Sequence, residues 1–171
     1  MLGDAVKEIM GDQADVTYLM GPGVDPHLYK ATQGDLKLLS HADVIIYNGL
    51  HLEGKMGEVF EKLEDRKKII VAADAIPKSE LLNHSDYQDA FDPHLWFDVA
   101  LWEKVCRYLG QKLANLEGLD QEVVMEQQNV YADSLRSLDA WVRERMATVP
   151  TNQRVLITAH DAFGDRKSTR L

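Results

Sequence analysis

Two short runs of β-branched residues, DVIIYN (43–48) and KKIIVAA (67–73), constrain the fold of this chain more than any other feature. Such runs are typical of strands that are buried on both faces. A helical segment over about 55–65 separates them, Thr32 is a plausible N-cap for a helix before the first run, and VTYLM (16–20) predicts a further strand. Strands alternating with helices predict right-handed βαβ crossovers, and therefore a parallel α/β sheet lobe with flanking helices.

The second half of the chain is predicted to be mainly helical. One helical segment begins at Asp98 and ends before Gly118, and about thirty residues with an apolar stripe then run to Pro150 without Gly or Pro. At about 1.5 Å per residue this second segment would be roughly 45 Å long, enough to span a domain or to join two. RVLITAH (154–160) predicts another buried strand. The predicted divisions are an N-terminal α/β lobe (1–117), a long linking helix (118–150), the first strand of a second α/β lobe (151–164) and an atypical tail (165–171).

Charge and composition exclude several classes of partner. Nineteen Lys and Arg against 28 Asp and Glu give a net charge of -9, so no general field attracts nucleic acid or an anionic membrane surface. We expect a cation to be the more natural partner. No apolar run is long enough to span a bilayer, and the N-terminus lacks the features of a signal sequence. The one cysteine, Cys106, lies in a helical pattern that favours a small buried side chain.

The tripeptide Asp-Pro-His occurs twice, at residues 25–27 and 92–94, and a third histidine, His160, ends the run RVLITAH. His27 follows the strand predicted over 16–20, and ligands of parallel sheets gather where strands end. Imidazole is a good ligand for zinc and other divalent first-row metals, so His27, His94 and His160 are candidate metal ligands. The Asp-Pro step would present each histidine rigidly, and either aspartate could accept the second ring N–H.

Each histidine taken alone is more typical of an ordinary loop position than of a metal ligand. His41 and His84 are predicted to be solvated surface groups, and His51, in NGLHLEG, is predicted to lie beside the site rather than to bind metal. The sequence contains no G-x-S-x-G elbow, P-loop, G-x-G-x-x-G fingerprint or H-E-x-x-H helix, which leaves other catalytic chemistries without a motif.

Three segments resemble the signature segments of the metal-binding solute receptors that serve zinc and manganese ABC importers. They are GPGVDPHLYKATQGDLKLLSHADVIIYNGLHLEGKM, FDPHLWFDV and VLITAHDAFG, and the resemblance runs from about residue 2 to Gly164. The family implies two α/β lobes joined by one long rigid helix, with a metal held in the cleft between them. Its first three metal positions fall on His27, His94 and His160. We expect no counterpart of its fourth ligand, an aspartate on a late loop, because DRKSTRL follows Gly164.

The resemblance implies capture of Zn²⁺ or Mn²⁺ outside the cytoplasmic membrane, in the periplasm or on a membrane anchor, and delivery to a permease. Related receptors with such ligand sets also take iron. Relative to the family we expect a chain truncated at both ends, which would favour a homodimer or segment exchange and would make His160 the least reliable ligand. Two alternatives stay open: a zinc hydrolase or lyase with a three-histidine site, and an interaction module without metal.

Overall fold

A two-stranded parallel sheet with helices packed around it forms the part of the chain that the computed structural model describes, residues 1–83 and 90–154. The α-helices are α1 (Leu2–Met10), α2 (Gln33–His41), α3 (Gly57–Glu61), α4 (Val99–Ala114) and α5 (Gln121–Ala147). The strands are β1 (Val44–Tyr47) and β2 (Lys68–Val71). Short 3-10 helices cover Gly11–Gln13, Ala72–Ala75, Lys78–Glu80, Leu95–Phe97 and Thr151–Gln153.

The two β-branched runs pair as predicted. β1 and β2 are parallel, with Ile45 opposite Ile69 and Ile46 opposite Ile70, and α3 lies in the crossover between them. Ile45 and Ile70 are buried, so the pair is part of the core. This arrangement confirms the prediction of a parallel α/β sheet lobe with flanking helices.

The strand predicted over 16–20 is wrong. Within the described residues this segment follows the 3-10 helix at Gly11–Gln13 and pairs with neither β1 nor β2. Its side chains are exposed or only half-buried. A run such as VTYLM suits extended backbone, but backbone becomes a strand only when a neighbouring strand offers its N–H and C=O groups.

The main core forms where α1, α4 and α5 meet. Ala5 and Ile9 of α1, Val105 and Leu109 of α4, and Val124 of α5 are all fully buried. Cys106 lies among them, and burial raises the pKa of its thiol to about 12. The prediction that this cysteine is a small buried side chain is therefore confirmed. A second, smaller cluster under α2 and α3 contains Leu39, Ile45, Met56 and Phe60.

The long helix is present as α5, 27 residues that begin after an N-cap at Asp120. Its first half packs on α4, and the approach is so close that a Cβ on Gly110 would clash with Cγ of Gln128. From residue 136 to its end, α5 has no buried residue. The division of the chain into lobe, linking helix and second lobe stays a prediction, because the strand RVLITAH and the tail fall, from residue 155 onward, outside the described residues. No helix in the described ranges is long and apolar enough to cross a membrane.

Candidate metal-binding site

The two Asp-Pro-His segments fold into the same local turn. In the first turn, Asp25 Oδ1 accepts a hydrogen bond of 2.9 Å from the backbone N–H of His27. In the second turn, Asp92 Oδ1 accepts one of 3.0 Å from the backbone N–H of His94. An aspartate that binds its own backbone two residues on closes an Asx turn, and the proline between fixes φ. The repeated tripeptide is thus a repeated backbone device that presents a histidine.

The two histidine side chains meet, although 67 residues separate them in sequence. Their Nε2 atoms lie 3.3 Å apart, and their ring centroids are 5.4 Å apart at an interplanar angle of 62°. His94 is only 7% exposed, whereas His27 is half-buried. One histidine therefore approaches from the interior of the lobe and the other from its surface.

Asp92 orients the ring of His94 as well as its backbone. Its Oδ1 lies 2.6 Å from His94 Nδ1, and the histidine side chain is 4% exposed. An ionised carboxylate only accepts hydrogen bonds, so in the neutral imidazole this contact places the ring proton on Nδ1 and leaves the lone pair on Nε2. Either aspartate could have this role from the sequence, and in the structure Asp92 makes the contact. The ring of Trp96 packs edge-on against His94 at 5.2 Å between centroids.

The loop that follows β1, residues 48–53, supports the second turn from behind. We call it the Asn48 loop. Asn48 is fully buried and donates from Nδ2 to the carbonyl of Pro93 at 2.9 Å. Glu53 accepts from the backbone N–H groups of Asn48 at 2.8 Å and of Gly49 at 3.2 Å. Burial raises the pKa of the Glu53 carboxyl above its ordinary value, against those two hydrogen bonds.

The Asn48 loop has a demanding backbone. Gly49, Leu50 and His51 have φ values of 88°, 52° and 62°, and a Cβ on Gly49 would lie 2.6 Å from Cγ1 of Val71. Glycine fits such a position at little cost, whereas leucine and histidine do not. From the sequence, NGLHLEG was considered only for His51, which is exposed. The supporting roles of Asn48 and Glu53 were not predicted. The signal available was a buried-type strand ending directly in Asn-Gly.

The first turn is supported from the other side, by α2. Tyr29, two residues after His27, donates from its hydroxyl to Asp35 Oδ2 at 2.8 Å. The same carboxylate accepts from Thr32 N–H, while Thr32 Oγ1 accepts from the N–H of Asp35. This is a reciprocal capping box, and it confirms Thr32 as the N-cap of α2. The Thr32 N–H, followed by the Tyr29 hydroxyl, lowers the pKa of Asp35.

Of the three candidate ligands, the structure brings His27 and His94 together. His160 and His84 lie outside the described residues, and His41 is exposed on the last turn of α2. Within residues 1–83 and 90–154, no group of three or more His, Cys, Asp or Glu side chains is arranged to hold a metal ion. His27 and His94 are therefore two side chains of a candidate site whose further members were predicted elsewhere in the chain.

The chain matches the family model described as the periplasmic zinc-uptake complex component A over residues 1–166. The chain belongs to this family. It is 47% identical over 165 residues to the zinc-binding protein TroA of Treponema pallidum, and 43% identical over 162 residues to the manganese-binding lipoprotein MntA of Bacillus subtilis. These alignments cover 96% and 95% of this chain, and 53% of each relative.

A solved structure of the periplasmic zinc-binding protein TroA has the same fold. It superposes with a TM-score of 0.91 at 42% sequence identity, over 98% of this chain and 61% of that one. The chain thus spans about half the length of the curated relatives it matches. The family resemblance that the three sequence segments indicated is confirmed, and so is the α/β fold class.

Proposed function

We propose that this chain supplies the N-terminal metal-binding lobe of a substrate-binding protein for an ABC importer. The protein would capture Zn²⁺ or Mn²⁺ and deliver it to a membrane permease, with His27, His94 and His160 as ligands. The observation that carries this proposal is the 3.3 Å separation of the two Nε2 atoms, with the second ring oriented by a carboxylate. Membership of the family supports it, and so do two relatives, the zinc-binding protein TroA and the manganese-binding lipoprotein MntA.

The separation fits two ligands of one metal ion. Zinc binds imidazole nitrogen at about 2.0–2.1 Å in tetrahedral sites, so two such nitrogens lie about 3.3–3.4 Å apart. Here the two Nε2 atoms are 3.3 Å apart. The Nδ1 contact to Asp92 is the arrangement that commonly fixes the tautomer of a metal-bound histidine. Both features support His27 and His94 as ligands of one metal ion.

The identity of the metal depends on the remaining ligands. Two neutral imidazoles can bind zinc, iron or manganese, and intrinsic affinities for such a site follow the series in which Zn²⁺ exceeds Mn²⁺ and Fe²⁺. We therefore expect Zn²⁺ to bind more tightly than Mn²⁺ or Fe²⁺ in a direct comparison. Which metal is the transported substrate is a separate question of geometry and availability.

The zinc hydrolase or lyase reading is the weaker alternative. Such an enzyme needs a general base beside the metal-bound water. Asp25 and Asp92 each accept a hydrogen bond from the backbone of the adjacent histidine, so both serve to shape the turns. The relatives reported above are named as binding proteins, which favours capture over catalysis. We expect metal binding without hydrolytic turnover.

The place of action follows from the same relatives. TroA is described as periplasmic and MntA as a lipoprotein, so we propose a location outside the cytoplasmic membrane. A permease is then the partner that receives the metal. Association with a second copy of the chain stays a prediction, which sedimentation of the purified chain measures.

Calorimetric titration of the whole chain with Zn²⁺, on protein purified without a histidine tag, tests the proposal. We expect one strong site, and a loss of affinity of at least about tenfold for His27→Ala and for His94→Ala, since each removes a ligand rather than a supporting group. His41→Ala is the matched control, because it removes an exposed histidine far along α2 from the turn. Absence of Zn²⁺ binding, or equal losses for all three variants, would contradict the assignment.

A further inference from the structure

Asn48 is an energetically unfavourable residue for the buried position that it occupies. It is 0% exposed, and its side-chain Oδ1 has no hydrogen-bond partner among the described residues. Leaving a buried acceptor unpaired costs folding free energy, which an apolar side chain would not. A role in packing alone does not explain an asparagine here.

The neighbours of Asn48 add to that cost. Leu50 and His51 both adopt the left-handed region that disfavours residues with a Cβ, and Glu53 is a buried carboxylate whose ionised form is desolvated. Backbone strain and buried charge tend to concentrate where a structure must hold a group in one place. In this loop, Glu53 accepts hydrogen bonds from the backbone N–H groups of Asn48 and Gly49. It thereby fixes the main chain that carries the Asn48 side chain.

The side-chain amide of Asn48 binds the peptide unit that carries the second histidine. Asn48 Nδ2 donates to the carbonyl oxygen of Pro93 at 2.9 Å, while Asp92 Oδ1 accepts from the N–H of His94 at 3.0 Å. These two groups, the carbonyl of Pro93 and the N–H of His94, are opposite ends of one planar peptide. Held at both ends, that plane resists rotation and so places the Cα of His94, while the contact of Asp92 Oδ1 with Nδ1 orients the ring.

We propose that Asn48 is a positioning residue for the metal site: its amide, anchored by Glu53, clamps the Pro93–His94 peptide and so sets the position of His94 Nε2 opposite His27. The inference rests on the proposed function, since it assigns a role toward the same metal. Asn48 itself is not a metal ligand in this role. It acts only through His94, in the way that outer-shell partners orient metal ligands.

The test replaces Asn48 by Ala in the whole chain and compares Zn²⁺ affinity and the visible spectrum of the Co²⁺-loaded protein. Outer-shell losses commonly cost about 10–100-fold in metal affinity, and we expect about tenfold here, together with a changed Co²⁺ spectrum. Gln128→Ala is the matched control, because it removes another buried amide, on α5, whose Nε2 donates to Asn129. It should lower stability and leave affinity and spectrum as in the wild type.

The outcomes separate this inference from the proposed function. Wild-type affinity and spectrum in Asn48→Ala would overturn the inference alone. If that variant does not fold, Asn48→Ser, which keeps a polar group but removes the amide, is judged in the same way. If the wild-type chain binds no Zn²⁺, the proposed function fails. The inference is then decided by crystal structures of the metal-free wild type and variant: an altered Nε2–Nε2 separation supports it, and an unchanged separation and ring orientation overturn it.

Discussion

The two Asp-Pro-His turns have the same local geometry and different surroundings. Each aspartate closes an Asx turn on the N–H of its histidine, at 2.9 Å in the first and 3.0 Å in the second. The first turn lies near the surface, where Val24 is 40% exposed and Leu28 68% exposed. The second is buried, with His94 held by Asp92 and packed against Trp96.

The tripeptide therefore sets the shape of each turn, and tertiary contacts set how firmly the turn is held. The second turn is fixed by hydrogen bonds to groups that are themselves buried, so its histidine should change position little when metal binds. The first turn is tied to α2 through the Tyr29 hydroxyl and is open to solvent on its other side. We expect His27 to make the adjustment that different metal radii require.

Removal of Asp92 should have the largest effect. Asp92→Ala leaves two nitrogens of a buried histidine without this acceptor, which costs about 1–3 kcal/mol of the free energy of unfolding. Metal affinity should fall by about 10–100-fold, because the ring loses the group that fixes its tautomer. Urea denaturation and Zn²⁺ calorimetry measure the two quantities.

Asp25→Ala is the matched variant in the other turn. Asp25 is exposed, so its removal should change stability by no more than about 0.5 kcal/mol, as surface substitutions usually do. Its effect on Zn²⁺ affinity should be smaller than that of Asp92→Ala. Equal losses of stability and of Zn²⁺ affinity in the two variants would mean that burial does not distinguish the two turns.

Much of this arrangement could be predicted from the sequence. The β-branched runs of β1 and β2, the N-cap at Thr32 and the break at Gly118 are local signals, and each held in the structure. The closeness of His27 and His94 was also predicted, but from strand ends that the structure does not bear out: the segment 16–20 before His27 is not a strand, and His94 does not directly follow β2. Local chemistry was sufficient for the strands, the cap and the break.

The rest depended on contacts that no local pattern encodes. The segment 16–20 has the composition of a strand and lacks a partner among the described strands. The role of Asn48 arises from its contact with Pro93, 45 residues away in sequence. Whether Asp25 or Asp92 would orient a ring was likewise undecided, because the two tripeptides are identical and differ only in burial.

Loss of the Tyr29 hydroxyl should have an intermediate effect and act on the first turn alone. Tyr29→Phe removes the 2.8 Å hydrogen bond to Asp35 and should lower the free energy of unfolding by about 1 kcal/mol. Tyr18→Phe is the control, since it removes a hydroxyl bonded to the exposed carboxylate of Asp4 at 3.1 Å. We expect that control to stay within about 0.5 kcal/mol of the wild type. A cost for Tyr29→Phe no larger than the control would show that α2 does not support the turn.

The smallest effect should be a pH dependence of opposite sign in the two supports. Hydrogen bonds from Thr32 and Tyr29 lower the pKa of Asp35 below 3.8, so its stabilising contribution is complete above that value and is lost as pH falls through the folded-state pKa. Burial raises the pKa of Glu53 above 4.5, so its contribution is complete below that value and is lost as pH rises through the folded-state pKa.

Acidification from neutral pH should therefore first strengthen the Asn48 loop, by neutralising a buried charge, and weaken the cap of α2 only below 3.8. Urea unfolding of the wild type, Glu53→Gln and Asp35→Asn across this range measures both contributions. The stability of the wild type relative to Glu53→Gln should rise as pH falls toward 4.5. The stability of the wild type relative to Asp35→Asn should stay constant over that range and fall at lower pH. The sign of each slope follows from whether the folded protein favours the charged or the neutral carboxyl. Parallel curves of stability against pH for the two variants would therefore mean that the supports of the two turns are electrostatically alike.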